Sequence, residues 1–163
     1  MKKITRESQN VEFKKSFAET NEILETTSAF ANTTGGTIFI GVEENKEGNA
    51  KKIVGINTKG RTIENLVNEI KQNTDPAIFP SIEIKNIQKQ QVVLIKVKEN
   101  PIKPVFVKGR VYKRIGRTNH KLSTLEIREL IRENTDYNFT ELSCEECKLD
   151  SINEEKIKKF VMI

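Results

Sequence analysis

The stretch Asn32-Thr33-Thr34-Gly35-Gly36-Thr37-Ile38-Phe39-Ile40-Gly41-Val42 constrains the fold of this chain more than any other. Just upstream, Ile23, Leu24, Thr27, Phe30 and Ala31 recur on one helical face, so a helix is predicted that stops at the Asn32 to Gly36 turn. Downstream, the apolar residues run on without polar alternation, which predicts a strand buried on both faces. A helix feeding a doubly buried strand calls for a mixed α/β domain.

The rest of the chain fits that class. Ile63, Leu66, Val67 and Ile70 predict a second helix ended by Asp75-Pro76. Strands are predicted at Ser81 to Asn86, Gln91 to Val97, Val105 to Val107 and Arg110 to Ile115, with Pro101 and Pro104 between the second and third. Ser123 and Glu126 are spaced as a capping box, with Leu122 and Ile127 at the staple positions, and they start a third helix. The predicted architecture is a mixed sheet flanked by helices. At 163 residues, one core can bury roughly 70% of the unfolded surface, so a single domain with an appendage is expected. Neither a signal peptide nor a membrane span is read from the sequence, and two cysteines cannot build a disulfide framework, so a cytoplasmic location is expected.

Charge divides the chain. Residues 1–135 carry 24 basic and 16 acidic side chains, whereas residues 136–163 carry 4 and 7. That shift sets the expected boundary between a basic domain, 1–135, and an acidic helical connector, 136–163. In the connector, Ser151 and Glu154 form a second capping-box pattern and Ile157, Phe160 and Val161 one apolar stripe, which is expected to continue into a further domain.

Within the basic part, Lys103, Lys108, Arg110, Lys113, Arg114, Arg117 and Lys121 accumulate with no acidic residue among them. On a strand, Arg110, Tyr112 and Arg114 share one face, and an aromatic ring between guanidinium groups suits a polyanion with stackable bases. Ile115 to His120 is read as a loop of hydrogen-bond donors leading to the N-terminus of the third helix. The bland alternative is a solvated edge strand guarded by its cations; the missing acids favour binding. Lys14 and Lys15 add to the candidate surface.

Glu7, Glu12, Glu43 and Glu44 are the acidic candidates for a divalent cation, as a metal-dependent nuclease would require. Because an offset of five separates Glu7 from Glu12 on either a strand or a helix, they converge only if Ser8-Gln9-Asn10 turns the chain, and spacing alone favours scattered surface glutamates. Gly36 and Gly41 have Walker spacing but lack the following Lys and Ser/Thr, so a phosphate loop is rejected. Cys144 and Cys147, with His120 the sole histidine, cannot assemble four zinc ligands, and no Ser/His/Asp triad is credible.

Taken in order, Glu7-Ser8-Gln9-Asn10-Val11-Glu12-Phe13-Lys14, Ala29 to Val42, and Val111-Tyr112-Lys113-Arg114-Ile115-Gly116-Arg117-Thr118 closely resemble the Schlafen-type Alba-like domain, also described as a divergent AAA-like domain of bacterial regulators. The resemblance covers about residues 4–133, and Ala-Phe-Ala-Asn-x-x-Gly-Gly is its most specific block. It implies an α/β nucleic-acid-binding domain of a transcriptional regulator, with DNA expected over RNA, no membrane and no cofactor. Lys14, Lys108, Arg110, Tyr112, Lys113, Arg114 and Arg117 would be the contact residues. The Schlafen branch implies the alternative of a nuclease in which Glu7, Glu12 and Glu44 hold Mg²⁺ or Mn²⁺. This chain has Glu44 where that branch carries Asp. Because Schlafen nucleases pair two such lobes, a homodimer would form the comparable groove. An ATP-binding or protein-interaction module ranks third.

Overall fold

A computed structural model describes residues 6–57 and 62–141. The sequence patterns at 142–163, including Cys144, Cys147, the Ser151/Glu154 pair and the Ile157 stripe, lie outside the described residues. In chain order the elements are β1 (Val11–Lys14), a single 3-10 turn (Phe17–Glu19), α1 (Thr20–Ala31), β2 (Gly36–Ile40), β3 (Val42–Glu44), β4 (Ala50–Ile53) and α2 (Thr62–Asn73). They continue with β5 (Thr74–Asp75), β6 (Ser81–Ile87), β7 (Gln90–Val97), β8 (Phe106–Val107), β9 (Arg110–Ile115), β10 (Thr118–Lys121) and α3 (Thr124–Glu141). Among the described residues, no helix is long and apolar enough to cross a membrane.

The strands form a mixed sheet in the order β1-β2-β7-β6, an antiparallel sheet in the order β10-β9-β8-β5, and the β3-β4 hairpin. β1 runs parallel to β2, and the other pairings are antiparallel. The expectation for β2 is met: Ile38 and Ile40 enter the main core with Ile23, Leu24, Phe30, Ile70, Val93 and Ile95, while Phe39 enters a second core with Phe13, Val42, Val92 and Leu94 on the opposite face. Burying each such side chain contributes about 1.5–3 kcal/mol, and this ties both layers to one strand. A third cluster, Val111, Leu122 and Leu130, fixes α3 onto β9.

The turn after α1 explains the Ala-Phe-Ala-Asn-x-x-Gly-Gly block. Gly35 stops the helix at φ +73°, its N–H reaching Phe30 O at 2.9 Å. Gly36 lies against the Phe30 ring, where a Cβ would come within 2.6 Å of ring carbon. Asn32 is buried; its Nδ2 donates to Val105 O and Tyr112 O, both at 3.0 Å, and its Oδ1 accepts from Val105 N at 2.7 Å. The block therefore stitches α1 to the second sheet.

Local signals place most boundaries within a residue or two. Helix α3 starts as expected, with Ser123 N donating to Glu126 Oε2 at 2.7 Å, and it runs past the charge shift at residue 135. Two readings are corrected. Asp75 is not only a helix stop, since Thr74 and Asp75 pair with Val107 and Phe106. The segment read as a loop after Ile115 is mostly strand: Thr118 pairs with Ile115 and Lys121 with Tyr112, leaving only Gly116 and Arg117 as a two-residue turn, with Gly at the first turn position as in type II′ hairpins.

Candidate functional site

β9 and its flanking turns carry the predicted cations, and the structure sorts them into two groups. Arg110, Tyr112 and Arg114 do share a face, but that face looks inward onto α1 for its last two members. Tyr112 is buried, and its hydroxyl donates to Glu25 Oε1 at 2.8 Å. Arg114 is 2% exposed. The expected stacking platform is thereby corrected: a ring and a guanidinium packed under α1 offer no open face to a base. Lys14, predicted as a contact, is also buried.

These buried groups form one ionic knot. Arg114 Nη1 donates to Asn119 Oδ1 at 2.8 Å, and Nη2 donates to Ser8 O and Val11 O at 3.1 and 3.2 Å. Nη2 also lies 2.6 Å from Glu12 Oε2, an ion-pair distance off the hydrogen-bond direction. The guanidinium carbon sits 5.3 Å from the Phe30 ring centroid. Lys14 Nζ meets Glu12 Oε1 at 2.8 Å and Glu22 Oε2 at 2.9 Å. Burial acts to lower the Lys14 pKa, but the Glu12 charge and the hydrogen bonds to Glu12 and Glu22 outweigh it and hold the ammonium above the usual lysine range. Two of the seven cations between 103 and 121 thus find acids elsewhere in the chain, Arg114 with Glu12 and Lys103 with Glu99.

The remaining cations stay outside. Lys108 occupies the turn between β8 and β9, its Nζ donating to Asn21 Oδ1 at 2.7 Å; Arg110 is exposed beside it. Together with Asn21, Leu24, Glu25, Val107 and Tyr112 they line a cleft of about 220 Å³. Arg117, exposed at the opposite end of β9, donates to Lys46 O at 3.3 Å. Lys113 is half-buried and shares a groove with Glu126, Glu129 and Glu133 of α3, so acids absent from the local sequence reach it through space. Lys15 and Lys121 are exposed.

The acidic candidates do gather. Ser8-Gln9-Asn10 makes the required turn, with Ser8 N donating to Val11 O at 3.0 Å, so that Glu7 Oε1 accepts from Phe13 N at 3.0 Å. Glu7 N donates to Gly48 O at 2.8 Å, tying this corner to the β3-β4 hairpin. Burial, a hydrogen bond with Glu44 and the charges of Glu12 and Glu44 raise the Glu7 carboxyl to about 7, against the opposing effect of the Phe13 N–H. Glu12, one of the three expected ligands, is engaged by Lys14 and Arg114. Among the described residues, no group of three His, Cys, Asp or Glu side chains is arranged to hold a metal ion. Sequence reasoning missed Asn119, which bridges Arg114 to Thr26 Oγ1 at 2.8 Å; no local signal marks it.

Comparison with known proteins adds a family and a fold. The family model described as Schlafen, AlbA_2 matches residues 7–123. A crystal structure of a protein from Corynebacterium diphtheriae is similar at a TM-score of 0.59 and 22% identity, over 77% of this chain and 27% of that one. The solution NMR structure of the N-terminal domain of an ATP-dependent DNA helicase RecG-related protein from Nitrosomonas europaea is similar at a TM-score of 0.55 and 24% identity, over 72% of this chain and 85% of that one. The match therefore spans about a quarter of the Corynebacterium chain. No curated protein matches in sequence.

Proposed function

The chain belongs to the Schlafen, AlbA_2 family, and we propose that it serves there as a nucleic-acid-binding domain, with DNA as the polymer and transcriptional regulation as the setting. One observation carries this reading. Among the described residues, Lys108, Arg110, Lys113, Arg117 and Lys121 have no carboxylate within ion-pair distance, although the same small sheet pairs Arg114 internally. Cations on one sheet without an ion-pair partner attract phosphate without regard to sequence. The leaning towards DNA takes support from the Nitrosomonas protein, whose relation to a DNA helicase is part of its description.

Lys108, Arg110, Lys113 and Arg117 are the proposed phosphate contacts. Lys14, Tyr112 and Arg114 act beneath them as the scaffold that holds β9 in place. Fluorescence anisotropy with labelled duplex DNA, single-stranded DNA and RNA across a salt series tests the reading. If about four phosphates are neutralised, log affinity falls with log salt at a slope of about −3.6. Binding that is absent from every oligonucleotide at low salt rejects the proposal.

A further inference from the structure

Among the described residues the mixed sheet ends in an open strand. Among the described residues β6 pairs only with β7, so its other edge is unpaired over seven residues, Ser81-Ile82-Glu83-Ile84-Lys85-Asn86-Ile87. Long open edges are templates for another strand. What could pair here is fixed by two properties of the strand, its hydrogen-bond phase and its charge order.

The phase follows from the turn. Gln88 and Lys89, at φ 52° and 64°, form a two-residue connection between Ile87 and Gln90. In such a hairpin the flanking residues are a hydrogen-bonded pair, and the pattern alternates along the ladder. Ile87, Lys85, Glu83 and Ser81 therefore direct their backbone groups to β7, whereas Ile82, Ile84 and Asn86 direct theirs to the open edge. Any antiparallel partner must meet those three.

The charge order is self-complementary. Ile84 is 49% exposed at the strand centre, flanked by Glu83 and Lys85, which lie 3.4 Å apart within the strand, Glu83 also meeting Lys96 of β7. When two copies of β6 run antiparallel about Ile84, Ile84 faces Ile84 of the second copy and Ile82 faces Asn86, all in hydrogen-bonding phase. Glu83 then stands opposite Lys85 of the second copy, twice over, in the close non-hydrogen-bonded positions where cross-strand pairs interact most. Sliding by two residues, the smallest shift that keeps the phase, sets Glu83 against Glu83 or Lys85 against Lys85. Simple edge protection needs only charge; it does not need an order that rejects every neighbouring register. We infer that the open edge of β6 is a self-association site, through which two copies of this chain join their mixed sheets into one continuous sheet of eight strands.

Sedimentation equilibrium of the full 163-residue chain, over a range of concentrations, tests the inference. The parent chain forms a concentration-dependent dimer. E83K and K85E each place like charges opposite one another and raise the dimer dissociation constant about tenfold or more. The exchange E83K/K85E restores opposite charges and brings it back to within about threefold of the parent. Ile84→Pro removes an N–H that faces the open edge, not β7, so the monomer keeps its circular dichroism spectrum while the dimer is lost. A parent chain that is monomeric at its highest soluble concentration overturns the inference, as does an exchange variant as dissociated as the single variants. A dimer indifferent to Ile84→Pro overturns it too, because that dimer uses another surface.

Discussion

Arg114 and Arg117 are three residues apart, in the same basic run and on the same hairpin, yet they meet opposite fates. Arg114 is roofed by α1, stacked near Phe30 and paired with Glu12; Arg117 sits in the exposed turn and, among the described residues, hydrogen-bonds only to a backbone carbonyl. A guanidinium under a helix is part of the folding energy, because its desolvation is recovered only if every partner stays in place. One in a turn keeps its water and remains available to an outside anion. Local charge density therefore does not separate a cation built into the fold from one left to solvent, whereas the count of internal partners does.

Four measurements would sharpen or break that contrast, in order of expected size. Arg114→Met leaves Glu12 buried with Lys14 as its remaining cation and should cost about 3–5 kcal/mol in urea unfolding; a loss below about 1 kcal/mol would put Arg114 among the surface cations. Glu7→Gln probes the acidic corner. The folded carboxyl titrates near 7 against 4.5 for an ordinary glutamate, so the folded state holds more protons across that window. Its contribution is full below pH 4.5 and is lost as pH rises through about 7. The variant should match the parent at about pH 4 and exceed it by up to about 3 kcal/mol at about pH 8; identical pH profiles would show that Glu7 is ionised like a surface acid.

Tyr112→Phe removes the hydroxyl bonded to Glu25. It should lower stability by about 1 kcal/mol and leave oligonucleotide affinity unchanged. A large affinity loss in a stable variant would restore the ring to the interface. Arg110→Ala with Arg117→Ala should stay within about 0.5 kcal/mol of the parent in stability, while the salt slope flattens from about −3.6 to about −1.8. An unchanged slope would remove both residues from the phosphate path.

Much of the scaffold was legible because its signals are short-range. The unbroken apolar run from Thr37 to Val42 announces burial on two faces, and two separate cores are found there. Gly35 and the Ser123/Glu126 pair mark helix ends through contacts within a few residues. The site was harder. That Glu7 and Glu12 need a turn between them is plain from their spacing, but that Glu12 spends its charge on Arg114 depends on β1 lying parallel to β2 and on Thr33 Oγ1 accepting from Arg114 N at 3.1 Å. No pattern within either segment reports it. Thr118 to Lys121 was missed as a strand because its polar residues show no apolar alternation; its pairing with Tyr112 to Ile115 supplies the order instead.

The sequence by itself determined where helices stop, which strand is buried twice and that cations crowd residues 103–121, since each depends on neighbours along the chain. Tertiary structure alone decided which of those cations face solvent and which are paired inside. Coulomb attraction and desolvation depend on distance through space, and Glu12 reaches Arg114 only once β1 and β9 have been brought together by the fold.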